Sequence, residues 1–383
     1  MVYNRIFICA DVKFPHGDAG SNRILYVAKA MIEAGYQTVL FSCGVTTKGK
    51  AKKYENVPFI NITKRKNKIL RIIDSELNHG NLVVRELEKF NLNFKDIIYI
   101  YGSNSFFVNS IMKYALKNNI KTCIDVVEWH QPYQYRYGKF DIRYLSINRT
   151  FEKLAPKIGN IVAISNCIKL HYNNVHSMVL PVVVDTRIKY NIEKCTDDIN
   201  LIYAGNPCRE DAIVMLKALR NIVDMCHSKI RLHLTGVKKE KIQEQLGDDT
   251  LLTYLQDVIV YHGWLDYSEF EDLMLKMDFL FMSRPNDLVK KANFPSKLPE
   301  LMARGIVPIC NRVGDFYLYL NDGIDSIMFD DSNEAECTDA LKRVISMEKD
   351  DITQLKLNAR KTAEKYFDYR KWIKTITDFI EEI

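Results

Sequence analysis

The residues with the clearest chemical potential are Lys297 and Glu300, which stand three positions apart within residues 293–310. Ser296 is a good N-cap, because its hydroxyl can accept a hydrogen bond from the first turn of a helix. We therefore expect the pair at a helix N-terminus, where free N–H groups and the helix dipole favour an anion. A cation for phosphate and a carboxylate for ribose hydroxyl groups, on one face, predict a nucleotide diphosphate site. The alternative is an ordinary ion pair on a solvated face.

The same stretch predicts the elements that hold this pair. Leu298, Leu301 and Met302 form the apolar stripe of a short helix. Gly305 suits the position that follows a helix end, and residues 306–310 form an apolar run typical of a buried strand.

A glycine-containing loop, residues 11–23, follows the first predicted strand and leads into a helix. This arrangement lets backbone approach a phosphate, with Gly20 at the closest point. The loop lacks the Gly-x-Gly-x-x-Gly pattern, and no acidic residue ends the second strand as a dinucleotide ribose site requires. A dehydrogenase is therefore disfavoured, and a plain βα turn is the alternative.

Loops after strands of the second half carry further candidate ligands. Gly205 lets the backbone turn sharply, and Arg209 can donate a forked pair of hydrogen bonds to phosphate oxygens. Gly236 ends the next strand, and Arg284 lies in a later loop as another candidate phosphate ligand. Trp264 follows a strand end as well, although a core position is the usual place for tryptophan. For Arg209 the alternative is a mere surface cation.

His130 is the candidate from the first half. It follows the strand that ends near Asp125 and precedes the polar, aromatic residues 131–137. Because ligands bind at the carboxyl ends of parallel strands, we expect His130 to contact a sugar or an acceptor there. A histidine packed in the core is the alternative. Glu128 and Asp125 are weaker candidates at the same place.

Strand and helix patterns alternate along the whole chain, which predicts an α/β fold with parallel sheets covered on both faces. The pattern starts again near residue 201, after the polar residues 191–200. Two doubly wound units joined near residues 186–199 are therefore expected.

Composition indicates a globular protein of two domains: 383 residues, 47% hydrophobic and 27% charged. None of the nine cysteines forms a Cys-x-x-Cys pair, so we interpret them as core residues in a reducing compartment rather than disulfide partners or zinc ligands. No Asp-x-Asp metal motif ends a strand, and we expect no cofactor. The first residues form a strand rather than a signal peptide, and no apolar run has spanning length, so we expect a cytoplasmic protein.

The net charge of +6 is unevenly distributed. Residues 1–185 hold 26 Lys and Arg against 14 Asp and Glu, a net charge of +12. Much of the excess lies in residues 48–71, from Lys48 to Arg71, where apolar residues interleave with the basic ones. A solvated loop is the usual explanation of such a run. The anionic surface of a membrane is another, and nucleic acid is not supported because no nucleic-acid-binding motif accompanies the run.

The motif Phe-Pro-Ser-Lys-Leu-Pro-Glu, residues 294–300, together with residues 278–285 and 311–315, resembles the donor-binding region of family 4 retaining glycosyltransferases. Members of that family have the GT-B fold, in which two Rossmann-like domains face a cleft. The resemblance differs at Ala292, where a commoner motif has a glutamate that contacts the donor sugar. It also differs at Glu210, where a second lysine is frequent.

The resemblance implies an acceptor-side domain over residues 1–185, with a last helix over 366–383 that packs back on it, and a nucleotide-sugar domain over 186–365. It implies transfer, with retention of configuration, from a UDP or GDP sugar to a glycan or lipid-linked acceptor. Bacterial surface polysaccharide or lipopolysaccharide synthesis, at the inner face of a membrane, is the expected setting. Arg209, Lys297 and His130 would be catalytic. Donor binding would fall to Gly20, Gly205, Gly236, Trp264, Arg284, Phe294, Ser296 and Glu300.

Two other functions remain open, because Ala292 and Glu210 depart from the family pattern. One is a non-catalytic partner or scaffold subunit with the GT-B fold, and the other is a sugar-nucleotide epimerase. A hydrolase with paired carboxylates is not supported, since nothing in the sequence isolates two carboxylates for that role.

Overall fold

The computed structural model describes residues 3–44, 50–62, 67, 74–193, 198–205, 209–226, 230–246 and 250–383. They form two compact units. The first contains Met1–Val184, Ala292–Phe294 and Tyr369–Ile383, and the second contains Asp185–Lys291 and Pro295–Asp368. The short segment Ala292–Phe294 thus belongs to the first unit, although the chain around it belongs to the second.

The described part of the first unit contains an eight-stranded sheet in the order β3-β4-β2-β1-β5-β6-β7-β8. Its strands are β1 (Arg5–Lys13), β2 (Gln37–Cys43), β3 (Lys52–Tyr54), β4 (Val57–Asn61), β5 (Asp96–Tyr101), β6 (Lys121–Val126), β7 (Asn160–Ala163) and β8 (His176–Val179). All neighbours pair in parallel except β3, which pairs antiparallel with β4. The short strand β3 was not predicted from the sequence. Every residue of β5 is buried, as expected for a strand covered by helices on both faces.

Helices of the first unit alternate with these strands. They are α1 (Ala19–Glu33), α2 (His79–Leu87), α3 (Ser105–Lys117), α4 (Ile142–Arg149), α5 (Ala155–Ile158), α6 (Asn166–His171) and, from the C-terminus, α16 (Ile373–Glu381). Helix α16 packs on the first unit, where Ile376, Phe379 and Ile380 join its hydrophobic core. The Tyr36 hydroxyl donates a hydrogen bond to Glu381 Oε1 at 2.8 Å, which adds a polar contact to this packing.

A buried ion pair lies inside the first unit. Arg23 on α1 donates from Nε to Asp125 Oδ2 at 2.8 Å and from one terminal nitrogen to Asp125 Oδ1 at 2.9 Å. Tyr99 on β5 donates its hydroxyl to the same carboxylate at 2.6 Å. Burial by itself lowers the pKa of Arg23, but the charge of Asp125 reverses this and raises it. Asp125, a weaker site candidate in the sequence, is therefore a structural residue.

The described part of the second unit contains a fully parallel, six-stranded sheet in the order β11-β10-β9-β12-β13-β14. Its strands are β9 (Ile199–Ala204), β10 (Ile230–Thr235), β11 (Ile259–Gly263), β12 (Phe279–Phe281), β13 (Val307–Asn311) and β14 (Ile327–Phe329). Its helices are α7 (Arg209–Cys226), α8 (Lys239–Leu246), α9 (Thr250–Tyr254), α10 (Tyr267–Met274), α11 (Leu288–Ala292), α12 (Lys297–Met302), α13 (Phe316–Tyr319), α14 (Glu334–Ile345) and α15 (Lys349–Thr362).

The predicted α/β class, with a parallel sheet in each half of the chain, is confirmed. None of the described helices combines the length and apolar character that crossing a bilayer requires. Six of the nine basic residues in the run from Lys48 to Arg71, including Lys48 and Arg71 themselves, lie outside the described residues.

Candidate functional site

Three adjacent strands of the second unit end in glycines that take left-handed conformations. These are Gly205 after β9, Gly236 after β10 and Gly263 at the end of β11, with φ angles of 128°, 74° and 63°. Backbone hydrogen bonds connect the turns: Gly205 N–H donates to the Thr235 carbonyl at 2.9 Å, and Gly236 N–H to the Gly263 carbonyl at 2.6 Å. No described atom lies within 4 Å of where a Cβ would stand at Gly205 or Gly263. Among the described residues, the backbone is therefore uncovered at Gly205 and Gly263.

Trp264 follows this row of glycines directly. Its side chain is 81% exposed, so the core position considered for it from the sequence is wrong. An exposed indole beside open backbone provides a flat apolar surface on which an aromatic base could stack.

Arg284 follows β12 at the same C-terminal edge of the parallel sheet. Its backbone is held by Asn311 at the end of β13: Arg284 N–H donates to Asn311 Oδ1 at 2.9 Å, and Asn311 Nδ2 donates to the Arg284 carbonyl at 2.8 Å. One guanidinium nitrogen is buried with no hydrogen-bond partner among the described residues. Burial lowers the pKa of Arg284, against the opposing charges of Asp211 and Asp287. Buried donors of this kind normally have an acceptor, so the site is suited to an anionic ligand.

Lys297 and Glu300 form the i,i+3 pair that the sequence suggested. Lys297 Nζ donates to Glu300 Oε2 at 2.8 Å and lies 4.9 Å from the centroid of the Phe270 ring on α10. Arg304 donates to the Glu300 carbonyl at 2.8 Å and contacts Glu271, which is also on α10. The pair therefore belongs to a partly buried cluster, in which Lys297 and Arg304 are the two cations, and does not lie on a fully solvated face.

The helix that carries this pair differs from the prediction. Ser296 has helical dihedral angles, φ −62° and ψ −29°, and its side chain makes no capping hydrogen bond. Ser296 directly precedes the helix, as expected, but the hydrogen bond expected from the first turn to its hydroxyl is absent, because a cap residue needs an extended conformation to reach the free N–H groups. Helix α12 has only six residues, so its dipole adds little to anion binding. Gly305 does take the left-handed conformation expected after a helix, with φ 81°.

Other predicted site residues lie elsewhere. Arg209 begins helix α7, but its side chain falls outside the described residues. Phe294 is buried. Ala292 is fully buried, and its carbonyl accepts a hydrogen bond from the Ser165 hydroxyl at 2.5 Å. The position that differs from the family pattern is thus an internal contact of the first unit.

Gly20 lies in the first turn of α1 and is packed against other residues. A Cβ at this position would stand 2.9 Å from the Tyr101 hydroxyl and 3.0 Å from a Val12 methyl carbon. The small size of Gly20 is therefore required by packing within the first unit. The predicted close approach to a diphosphate is not needed to explain it.

His130 follows β6 and is held at both ring nitrogens. Nδ1 lies 2.8 Å from the Tyr135 hydroxyl, and Nε2 lies 3.0 Å from a carboxylate oxygen of Glu128. The simplest tautomer that satisfies both partners has the proton on Nε2, so that Nδ1 accepts from Tyr135. Burial, with the charge of Glu128, raises the pKa of Tyr135 to about 12. His130 is thus an oriented, part-buried imidazole at a strand end and not a core histidine.

A cluster that the sequence analysis missed contains Asp11, Cys43 and His79. His79 Nδ1 lies 2.7 Å from Asp11 Oδ1, and Cys43 Sγ lies 3.4 Å from Nε2 and 3.7 Å from Nδ1. Sγ is almost equally far from both nitrogens, so its hydrogen bond to the imidazole is shared between them. The three groups therefore partner one another inside the first unit.

The protonation of His79 should make the stability of the first unit depend on pH. Burial alone lowers the pKa of His79, but hydrogen bonds from the imidazole to Asp11 and Cys43, with their charges, raise it to about 9. Because the folded pKa exceeds the ordinary value of about 6.5, this stabilisation is complete below pH 6.5 and is lost as pH rises through 9. We expect a loss of about 3 kcal/mol in the free energy of unfolding, measured by calorimetry across this range.

The matched variant is His79→Gln, which keeps a polar side chain without a titrating group. Its unfolding free energy should be lower than that of the wild type at pH 6 and should change little up to pH 9. An unchanged pH slope in this variant would contradict the assignment of the effect to His79.

Comparison with known proteins agrees with this architecture. Residues 209–378 match a sequence family described as glycosyl transferase-like. No curated protein sequence gives a significant match.

Solved structures resemble the chain over nearly its whole length. A glycosyltransferase from Rickettsia africae shares 16% identity with a TM-score of 0.69, covering 99% of each chain. Sucrose-phosphate synthase from Thermosynechococcus elongatus shares 11% identity with a TM-score of 0.71, covering 99% of this chain and 98% of that one. HepE from Anabaena, crystallised with UDP and glucose, shares 11% identity with a TM-score of 0.70, covering 100% of each chain. The chain therefore has the GT-B fold, and the family match in its second half supports a glycosyltransferase.

Proposed function

We propose that the chain is a retaining glycosyltransferase that moves a sugar from a nucleotide diphosphate sugar to a glycan or lipid-linked acceptor. The observation that carries the proposal is the row of left-handed glycines Gly205, Gly236 and Gly263 at the C-terminal edge of the second sheet, uncovered by described residues at Gly205 and Gly263 and followed by the exposed Trp264. Ligands of such sheets bind at this edge, where backbone without side chains admits a diphosphate closely.

Cations supply the chemistry that sugar transfer needs in this proposal. As the glycosidic bond of the donor breaks, negative charge grows on the leaving diphosphate, and fixed positive charges that meet it lower the barrier. Lys297 and Arg209 are assigned this role, and Arg284 is assigned to nucleotide phosphate binding. One guanidinium nitrogen of Arg284 is buried without a hydrogen-bond partner among the described residues, which supports an anionic ligand in the second unit.

Retention follows if the acceptor hydroxyl attacks from the face that the diphosphate leaves. The hydroxyl then gives its proton to the departing phosphate oxygen, and no pair of catalytic carboxylates is required. His130 is assigned to the sugar or the acceptor. Its orientation by Glu128 and Tyr135 supports a role in which one ring nitrogen exchanges a partner for a hydroxyl group.

UDP and GDP are the proposed donor nucleotides. HepE from Anabaena, which shares the fold, is described as crystallised with UDP and with UDP-glucose. Glu300 is assigned to ribose binding, because its carboxylate can accept hydrogen bonds from the ribose hydroxyl groups. Surface polysaccharide or lipopolysaccharide synthesis in a bacterium, by a cytoplasmic enzyme at the inner membrane face, is the proposed setting.

Donor binding is expected to stabilise the protein against heat. A ligand present at about one hundred times its dissociation constant adds about 2.7 kcal/mol to the free energy of unfolding. For a unit of this size that corresponds to a rise in melting temperature of several degrees, roughly 5–10 °C. UDP, GDP and ADP, each with and without a sugar, should be compared by thermal shift, and we expect a UDP or GDP compound to give the largest rise.

The alternative is a non-catalytic partner subunit, and the burial of Ala292 favours it, since this position contributes an internal contact and no sugar ligand. Incubating the best donor with and without acceptor glycans, and following the anomeric proton by NMR, separates the possibilities. Product with the donor's configuration supports the transferase. Donor binding without any turnover indicates a scaffold, and an epimerised donor without acceptor indicates an epimerase.

A further inference from the structure

We propose that residues 131–149 of the first unit form a docking surface for an anionic lipid bilayer. The proposal does not rest on sugar transfer, because binding a bilayer requires neither donor nor acceptor. It also differs from the membrane contact expected from the sequence at Lys48 to Arg71, where six of the nine basic residues lie outside the described residues.

Large apolar side chains are concentrated on the outside of this segment. The members of this aromatic–basic surface are Tyr133, Tyr137, Phe140, Ile142 and Leu145, with the cations Arg136, Lys139 and Arg143. The five apolar side chains are between 52% and 79% exposed. Helix α4, which carries two of them, has no buried residue. A surface helix normally turns its apolar residues to the core, whereas Ile142 and Leu145 on α4 are mostly exposed to solvent.

The exposure is imposed by a defined local structure. Tyr135 connects the segment to the rest of the unit. Its hydroxyl forms a hydrogen bond with His130 Nδ1, and its ring packs against Tyr144 with 5.6 Å between the centroids. Ser146 on α4 accepts a hydrogen bond from the backbone N–H of Ser105 at 2.9 Å. Polar and half-buried groups therefore hold the segment on the unit while the apolar ones point outward.

The charges of the segment are arranged for an anionic surface. Residues 131–149 contain four cations and one acidic residue, Asp141, a net charge of +3. Asp141 caps α4 by accepting from the Arg143 N–H at 3.0 Å. Arg136 and Lys139 lie over the rings of Tyr137 and Phe140, at 5.5 Å and 5.2 Å. Aromatic rings with adjacent cations are typical of side chains that lie at the boundary between lipid headgroups and acyl chains.

A bilayer accounts for both halves of this surface. A nucleic acid or an acidic protein would pair with the cations, but it would leave Ile142 and Leu145 in contact with charged groups. A neutral sugar could stack on the tyrosines, but it carries no charge that would pair with the cations. An anionic bilayer offers phosphate groups to the cations and an apolar layer to the aliphatic side chains at the same depth.

The test is flotation of the full-length protein with vesicles of phosphatidylcholine alone or mixed with phosphatidylglycerol, at low and high salt. Binding should require the anionic lipid and should weaken with salt. The triple variant Arg136→Gln/Lys139→Gln/Arg143→Gln should bind about a hundredfold more weakly, since each cation near an anionic surface contributes roughly fivefold. The double variant Phe140→Ser/Ile142→Ser should bind at least about tenfold more weakly.

The matched control is Phe94→Ser/Leu116→Ser. These two residues are similarly exposed, at 65% and 72%. Phe94 precedes strand β5 and Leu116 lies in the last turn of α3, so both lie near the N-terminal ends of the strands, whereas residues 131–149 follow the C-terminal end of β6. The control should bind vesicles within about twofold of the wild type, because it lies outside the surface. A Phe140→Trp variant should show fluorescence quenching by brominated lipid, which reports the depth of this position.

The proposal is overturned if the wild type does not float with anionic vesicles at low salt. It is also overturned if the Phe94→Ser/Leu116→Ser control loses as much binding as the surface variants, or if the tryptophan at position 140 is not quenched. Capture of an oligosaccharide or a polyanion by the wild type, without vesicle binding, would assign the surface to that partner instead.

Discussion

Replacing Lys297 by alanine is expected to lower kcat/KM for sugar transfer by about 10²–10³-fold, the usual effect of removing one group that stabilises transition-state charge. In the free protein the ammonium is held by Glu300 at 2.8 Å and by the Phe270 ring. This pairing positions the cation, and phosphate oxygens of the donor would compete for it. Steady-state kinetics with the donor that gives the largest thermal shift measures the effect.

The matched control is Lys241→Ala. Lys241 Nζ donates to Glu244 Oε2 at 2.8 Å, with the same i,i+3 spacing, and its side chain is also part-exposed. Both variants should lose no more than about 1 kcal/mol of unfolding free energy, because both lysine side chains are more than a third exposed and solvent weakens their ion pairs. Lys241→Ala should leave transfer unchanged, and Lys297→Arg should restore part of the activity with the charge. Equal activity of Lys297→Ala and Lys241→Ala would contradict the assignment of Lys297 to the leaving diphosphate.

The architecture was predictable because parallel α/β structure has a strong local pattern. Apolar strand runs such as residues 97–101 alternate with amphipathic helices, and burial on both faces leaves a nearly continuous hydrophobic sequence. Gly305 was recognisable as a residue after a helix end for the same reason, since left-handed conformations favour glycine. In both cases the controlling interactions lie within a few residues of each other.

Local pattern failed where a neighbouring element decided the conformation. Ser296 has the right residue type for a cap, but the preceding turn, in which Leu298 N–H donates to the Pro295 carbonyl, already places it in a helical conformation. At Gly20 the small residue is explained by packing, because the Tyr101 hydroxyl occupies the space beside it, and its predicted approach to a ligand stays a prediction. Tyr101 is 81 residues away in the sequence, and no local pattern reports such a contact.

Clusters built from separated segments were the least accessible to sequence reasoning. Asp11, Cys43 and His79 come from β1, β2 and the first residue of α2, and they meet only because β1 pairs with β2. The outward face of α4 was equally hidden, because its sequence does not say which residues have partners. Such clusters and exposed faces can be recognised only when the strand order and the packing of the helices are known.

The buried ion pair between Arg23 and Asp125 should have the largest effect on stability. Arg23 donates twice to the carboxylate of Asp125 and also to the carbonyls of Leu180 and Pro181, each at 3.0 Å. The two side chains are only 4% and 0% exposed. The pair therefore connects helix α1 with strand β6 and with the chain that follows β8, in a region from which water is excluded.

Arg23→Met is expected to lower the unfolding free energy of the first unit by about 3–5 kcal/mol, because it leaves the Asp125 carboxylate buried without its cation. Its melting temperature should fall by roughly 10 °C. Differential scanning calorimetry measures this loss. The surface variant Lys89→Met, which removes an exposed i,i+3 ion pair with Glu86, should cost less than about 1 kcal/mol.

The double variant Arg23→Met/Asp125→Leu tests whether the stability lost in Arg23→Met comes from the unpaired charge of Asp125. If the loss in Arg23→Met comes from an uncompensated charge, removing that charge should restore much of the stability, since apolar replacement of a buried pair is often close to neutral. The coupling energy from the four proteins of the cycle should then be well above 1 kcal/mol, as expected for residues in direct contact. Additive losses would instead mean that Arg23 acts through its bonds to the Leu180 and Pro181 carbonyls, and that Asp125 is stabilised mainly by the Tyr99 hydroxyl.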